Sequence, residues 1–243
     1  APPRLFRSQI LRGAGQRPAL AHPPYGRPMA DPEALTTGAL LRGYRRGIFP
    51  MAEGRDHPIL HWVEPHLRGI LPLDRFHVSR SLRRRILRGG YQVTVNRDFA
   101  ATVAACADRP DTWINAELTR LYLALRAEGH AHSLEVWRGD TLIGGVFGLT
   151  LGRVFCGETM FSREVDGSKI ALAYLVDRLR QAGFVLFDTQ FLTPHLATLG
   201  GVEIPQAAYL ALLKPALAGS AADFTAPTIP DPQLLMQRIS QTS

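Results

Sequence analysis

Asp188 and Gln190 stand two residues apart, directly after the apolar run Phe184 to Phe187. In an extended chain residues i and i+2 share a face, so a carboxylate and an amide lie side by side at the C-terminal end of a strand, where α/β sheets tend to bind ligands. The carboxylate accepts protons and the amide both donates and accepts, a pair suited to holding an amine against a carbonyl. The plainer alternative is that Asp188 caps a turn. Glu158 is a second acid of interest, set among Phe155, Cys156, Met160 and Phe161. A carboxylate in such a strand is costly unless it is paired or put to use, and a structural ion pair with an arginine is the competing reading. The third constellation is cationic: Arg80, Arg84 and Arg88 recur every four residues with Arg83 beside them. A helix over 80–88 capped by Ser79 then carries a basic face fit for the phosphates of a polyanion, gripped largely without reading sequence.

Other chemistries find little support. His130 and His132 form an HxH with no third ligand nearby, and Cys106 and Cys156 are far apart without a CxxC, so no metal site is expected. GxSxG, HExxH and P-loop patterns are absent.

The elements that must position these residues follow from periodicity and turn signals. Helices are expected over 34–47, 80–88, 99–107, 116–128, 168–181 and 206–217, with a short one opening at Thr193-Pro194. Gly47 to Pro50 reads as a turn, and 58–73 as short strands broken by Pro65 and Pro72. Strands over 132–138, 141–150 and 153–161, joined by Gly139-Asp140 and Leu151-Gly152, form an antiparallel meander. The helix over 168–181 and a strand from Phe184 to Phe187 complete a β-β-β-α-β order, an α/β (α+β) signature. The chain divides into a disordered extension over 1–30, a small, irregular basic domain over 31–97, a larger α/β domain over 98–217 and a loose tail over 218–243.

With 243 residues, 46% apolar and 20% charged, the composition excludes wholesale disorder and a membrane bundle. No signal-peptide core or spanning run is present, and two cysteines without a pairing pattern suit a reducing, cytoplasmic setting. The charge is uneven. There are 26 Arg and two Lys, Lys169 and Lys214, and the first hundred residues hold 17 of those Arg against 7 acids. A basic half beside a mildly acidic half suits a polyanion bound by one side and other chemistry on the other.

The stretch 153–190 is similar to acyl transferases of the N-acetyltransferase (GNAT) fold. The coenzyme A cradle of that fold needs glycines that let backbone N–H groups approach the phosphates. Here Ser162 to Lys169 holds one glycine, Gly167, and two acids, Glu164 and Asp166, which disfavours coenzyme A.

Gly47-Ile48-Phe49-Pro50, Arg68-Gly69-Ile70-Leu71, His77 to Leu82, Thr112-Trp113-Ile114, Gly129 to Trp137, Gly157 to Ser162, Ser168-Lys169, Asp188-Thr189-Gln190 and His195 to Gly200 occur in order. In this the chain resembles the bacterial leucyl/phenylalanyl-tRNA-protein transferase family over about residues 38–210. The resemblance implies transfer of Leu, Phe or Met from aminoacyl-tRNA to the N-terminal Arg or Lys of a protein, marking it for degradation. It implies a C-terminal GNAT-like domain and no cofactor. Asp188 and Gln190 match the catalytic pair, and Glu158 with Asp188 would receive the acceptor's cationic side chain. Val146, Phe155, Met160, Leu172, Leu175 and Phe187 match the aminoacyl side-chain pocket. Trp113 matches an aromatic at the 3′-terminal adenosine, and Met51 stands there where many members have Trp. Arg80, Arg83, Arg84 and Arg88 would grip acceptor-stem phosphates. Gln206 replaces a common Arg, and the usual Gly-Gly-Asp stretch upstream of residue 34 is missing. The expected partners are aminoacyl-tRNA and the acceptor protein, with neither DNA nor a membrane, and the chain is expected to act as a monomer. A coenzyme A-dependent acetyltransferase and a non-catalytic RNA-binding module are the alternative functions.

Overall fold

The computed structural model describes residues 35–241, so the extension expected over 1–30 lies outside the described residues. Helix α1 (Thr37–Arg45) is capped by the Thr36 hydroxyl, which accepts from the Ala39 N–H, and leads into a hairpin of β1 (Phe49–Ala52) and β2 (Leu60–Val63). The turn expected at 47–50 is thus only Arg46 and Gly47, the latter at φ +79°, with the strand already begun at Phe49. Next come β3 (Leu67–Ile70), α2 (Arg80–Arg88) and β4 (Gln92–Val95). Ser79 caps α2 as expected, accepting from the Leu82 N–H.

Helices α3 (Phe99–Ala107) and α4 (Ala116–Ala127) precede the meander of β5 (Ala131–Arg138), β6 (Thr141–Leu151) and β7 (Val154–Ser162). Helix α5 (Gly167–Gln181) then returns the chain to β8 (Leu186–Gln190), so Asp188 and Gln190 lie inside the strand rather than after it. The short α6 (Pro194–Ala197), β9 (Val202–Pro205), α7 (Gln206–Ala218) and α8 (Pro232–Ser240) follow.

Seven strands form one mixed sheet in the order β4-β5-β6-β7-β8-β3-β9. Among the described strands only β7 and β8 pair in parallel, the pairing a crossover helix such as α5 imposes. Because β3 and β4 come from the 31–97 stretch, the sheet runs through the boundary expected at residue 97. The sheet is covered on both faces. Leu40, Tyr44, Leu118, Tyr122, Phe147, Leu149 and Tyr209 belong to one apolar cluster; Ile86, Val146, Phe155, Leu172, Leu175, Phe187 and Leu235 belong to the other. Helices α1, α3, α4 and α7 thus pack on one side and α2, α5 and α8 on the other.

The loose tail expected over 218–243 does not hold. Asp231 caps α8, Pro232 sits at its first position, and Leu235, Met236 and Ile239 make a buried face against α2 and α5. No described helix is long and apolar enough to cross a membrane.

Candidate active site

The pairing of β7 with β8 runs from Val154↔Leu186 to Cys156↔Asp188 and ends there. Beyond that point Glu158 and Gln190 face one another across the opening between the two strands, at the carboxyl ends of the only parallel pair in the sheet. A β-bulge aims Glu158 into this opening. In the β6 and β7 register Phe147 faces Thr159 while Gly148 faces Gly157, leaving Glu158 without a partner. The extra residue also resets side-chain parity: Phe155 and Met160, five apart, both join the α5 side, whereas Cys156 and Phe161 both join the other.

Glu158 is buried. Its carboxylate accepts from the Tyr44 hydroxyl at 2.7 Å, the Tyr122 hydroxyl at 2.7 Å and Gln190 Nε2 at 3.1 Å. Three neutral donors stand where the competing reading put an arginine, and one of the roughly four acceptor positions of the carboxylate stays open. Burial pushes the Glu158 pKa up; the hydrogen bonds from Tyr44, Tyr122 and Gln190 pull it back, the charge on Asp188 adds to the rise, and it comes to about 7. Burial and the adjoining Glu158 in turn raise both tyrosines well above their ordinary value, so they remain donors.

Asp188 has 0% exposure and is saturated. Oδ1 accepts from Arg68 Nε at 2.8 Å and from the Gln190 backbone N–H at 2.8 Å; Oδ2 accepts from Arg68 Nη2 at 2.5 Å and the Tyr209 hydroxyl at 2.9 Å. The direct roles expected of Asp188, taking a proton from the acceptor amine and receiving the acceptor's cation, therefore do not fit, since every lone pair is in use and no surface is offered. Arg68, also at 0% exposure, donates to the Gly47 carbonyl at 3.0 Å and lies between the rings of Phe49 and Tyr209 at 4.6 and 4.5 Å. Burial acts to lower the Arg68 pKa, but the charge and hydrogen bonds of Asp188 outweigh it and hold it above the ordinary value.

The arrangement explains the backbone at Gln190. Its φ is +62°, a left-handed conformation that a residue with a Cβ adopts at a cost of about 1–3 kcal/mol. The Asp188 carboxylate holds the Gln190 N–H in that conformation, and the side-chain amide then reaches Glu158. Gly69 permits it from the other side, because a Cβ there would stand 2.5 Å from the Phe191 carbonyl carbon. Arg68, Tyr44, Tyr122 and Tyr209 were not singled out as site residues by the sequence reading. The one available signal was a charged residue inside the apolar run Leu67 to Leu71, since a fully buried arginine must be paired.

The chain matches the family description "Leucyl/phenylalanyl-tRNA protein transferase" over residues 70–214 and that family's N-terminal domain over 33–66. It is 64% identical over 213 residues to the leucyl/phenylalanyl-tRNA-protein transferase of Cereibacter sphaeroides, covering 87% of this chain and 99% of that one. The chain belongs to the leucyl/phenylalanyl-tRNA-protein transferase family. The transferase of the same name from Ruegeria pomeroyi is 62% identical over 210 residues, 86% of this chain and all of the relative. Among solved structures, that of L-PGS from Bacillus licheniformis aligns with 62% of this chain and 51% of its own at 15% identity and a TM-score of 0.37, too distant to inform the site.

The remaining residues singled out in this transferase chain fall in three places. Trp113 and Met51 are neighbours: the Trp113 carbonyl accepts from the Ala52 N–H at 3.2 Å, and the Trp113 ring meets Tyr122 edge-on at 6.4 Å, one residue removed from Glu158. Val146, Phe155, Leu172, Leu175 and Phe187 are packed together on the α5 side, each at most 4% exposed, with the half-buried Met160 against them. Met160 also borders a cleft of about 500 Å³ shared with Ser162, Lys169 and His195. Arg80, Arg83, Arg84 and Arg88 are all exposed on α2, whereas Arg85 of the same helix is bonded to Asp166 at 3.0 Å. His132 stacks on Phe224, and no group of three His, Cys, Asp or Glu residues placed to hold a metal ion is found among the described residues.

Proposed function

We propose that the chain transfers Leu, Phe or Met from aminoacyl-tRNA to the N-terminal Arg or Lys of an acceptor protein, on a GNAT-like C-terminal domain and without a cofactor. The observation that carries this reading is the pair Glu158 and Gln190 facing across the opening between β7 and β8. An ester becoming an amide is downhill, so the site need only hold a neutral amine against the ester carbonyl. An α-amine titrates at about 7.7–8.0 and is partly neutral near neutral pH, and burial raises Glu158 so that it can take up a proton there.

In this mechanism Gln190 orients the amine, the amine nitrogen bonds to the carbonyl carbon, and its surplus proton passes to the open acceptor position of Glu158. The carbonyl then re-forms, the bond to the ribose oxygen breaks, and the proton returns to that oxygen as the tRNA leaves. Asp188 acts as a positioning residue: backed by Arg68 and Tyr209, it fixes the backbone of Gln190. The donor side chain enters past Met160 toward Val146, Phe155, Leu172, Leu175 and Phe187. The terminal adenosine lies by Trp113 and Met51, and Arg80, Arg83, Arg84 and Arg88 meet acceptor-stem phosphates.

Two further observations weigh against coenzyme A as the donor. The Ser168 N–H at the start of α5 is already taken by the Ser162 hydroxyl at 3.0 Å, and the acid Asp166 occupies that terminus with Arg85 and Lys169 as its partners. A pyrophosphate would meet a backbone N–H already bonded and a carboxylate already holding the two nearby cations. The test is incubation with labelled Phe-tRNA and a peptide beginning with Arg. Label on that peptide, and none on one beginning with Gly, supports the reading; acetyl transfer from coenzyme A without tRNA overturns it.

A further inference from the structure

Phe224 lies beyond residue 214, where the family match ends, in the segment between α7 and α8. It is 2% exposed and its ring is stacked on Phe155, with centroids 5.4 Å apart and planes 15° apart. Phe155 in turn meets Phe187 edge-on at 5.4 Å. Phe224 also stacks on His132 at 4.6 Å and meets the edge of Phe184 at 6.3 Å. Burial holds the His132 imidazole down to about 4, so this group of rings is uncharged near neutral pH.

The segment that carries Phe224 is fastened to the body of the protein. Arg178 on α5 donates to the Phe224 carbonyl at 2.6 Å and the Pro227 carbonyl at 2.5 Å, and the Ala222 N–H donates to the Gly152 carbonyl at 3.0 Å. The edge of the Phe155 ring lies close against Gly148, its Cζ 2.6 Å from where a Cβ there would be. With its edge against the bare backbone of Gly148 and its face on Phe224, the Phe155 ring is placed in part by the tail, and close-packed interiors transmit a change in one ring to its neighbour.

We infer that Phe224 sets the depth of the aminoacyl pocket through Phe155, which makes the segment after α7 a determinant of donor specificity. The inference rests on the pocket assignment proposed above. A smaller residue at 224 lets Phe155 tip back, and the pocket then accepts a longer or wider donor side chain relative to Leu.

The experiment compares kcat/KM for tRNA charged with Leu, Phe and Trp in the full chain and in Phe224→Leu, with Phe224→Met, an unbranched apolar side chain of about the same reduced size as Leu, as the second variant that keeps the test open should the first not fold. A methylene-sized change in an apolar pocket is worth about 10–200-fold in discrimination, so the Trp/Leu ratio is expected to rise about tenfold with tRNA affinity unchanged. A folded variant whose ratios stay within about twofold of the parent overturns the inference. Met160→Arg separates the two levels. If it blocks use of Phe-tRNA while the Phe224 variants leave the ratios alone, the pocket stands and the role of Phe224 falls. If it leaves Phe-tRNA use intact, the pocket assignment falls and takes Phe224 with it.

Discussion

Glu158→Gln isolates an acid whose titration lies near neutrality. The folded protein raises this group from 4.5 to about 7, and at about 1.4 kcal/mol for each pKa unit that amounts to about 3 kcal/mol. For an acid whose folded pKa lies above its unfolded one, the folded state binds the proton more tightly, so stability falls as pH rises between the two values. The contribution is complete below the unfolded pKa and is lost as pH climbs through about 7. Against a total stability of about 5–15 kcal/mol this is a large share. Glutamine keeps the size of the side chain and one acceptor oxygen but cannot ionise. Urea unfolding at intervals between about pH 5 and pH 8 should therefore show the parent losing stability with pH relative to the variant. The difference between the two profiles removes groups they share, such as Asp177, which burial also raises. Parallel profiles would refute the placement of Glu158 in a dry, weakly compensated pocket.

Arg68→Met should cost about 3–5 kcal/mol in urea unfolding, because it strands the buried Asp188 charge. Adding Asp188→Asn should recover part of the loss, whereas strictly additive effects would mean that the two side chains do not act as a pair. Replacing Arg80, Arg84 and Arg88 by Gln should weaken tRNA binding and flatten the dependence of log K on log salt by about 0.7–0.9 for each phosphate no longer neutralised; an unaltered slope would place the tRNA elsewhere.

The meander and α5 were legible because their signals are local. Apolar alternation, two hairpin turns and a long helical stripe closing at Gly183 read correctly to within a residue or so. Strand β4 was not foreseen because Gln92-Val93-Thr94-Val95 is short and half polar, and its pairing with β5 holds it in place. Strand β9 ends in Pro205 and exists through β3. In the site, the spacing of Asp188 and Gln190 was readable but their division of labour was not. Arg68 lies 120 positions from Asp188, and Tyr44 lies 114 from Glu158, separations that no periodicity reports. The bulge at Glu158 escaped because one inserted residue leaves the composition of β7 unchanged while reversing which face its later side chains take. The tail was misjudged on its small residues and prolines, although Pro232 after Asp231 marks the start of a helix.

The central claim is that Asp188 and Arg68 hold Gln190 so that Gln190 and Glu158 deliver the acceptor amine. A single-turnover measurement with Phe-tRNA already bound and an Arg-initial peptide added tests it most directly, comparing the parent chain with Gln190→Ala alongside a separate tRNA affinity measurement. The account predicts a transfer rate lowered by about 10²-fold or more with tRNA affinity unchanged. An unchanged transfer rate in a folded Gln190→Ala variant would contradict it.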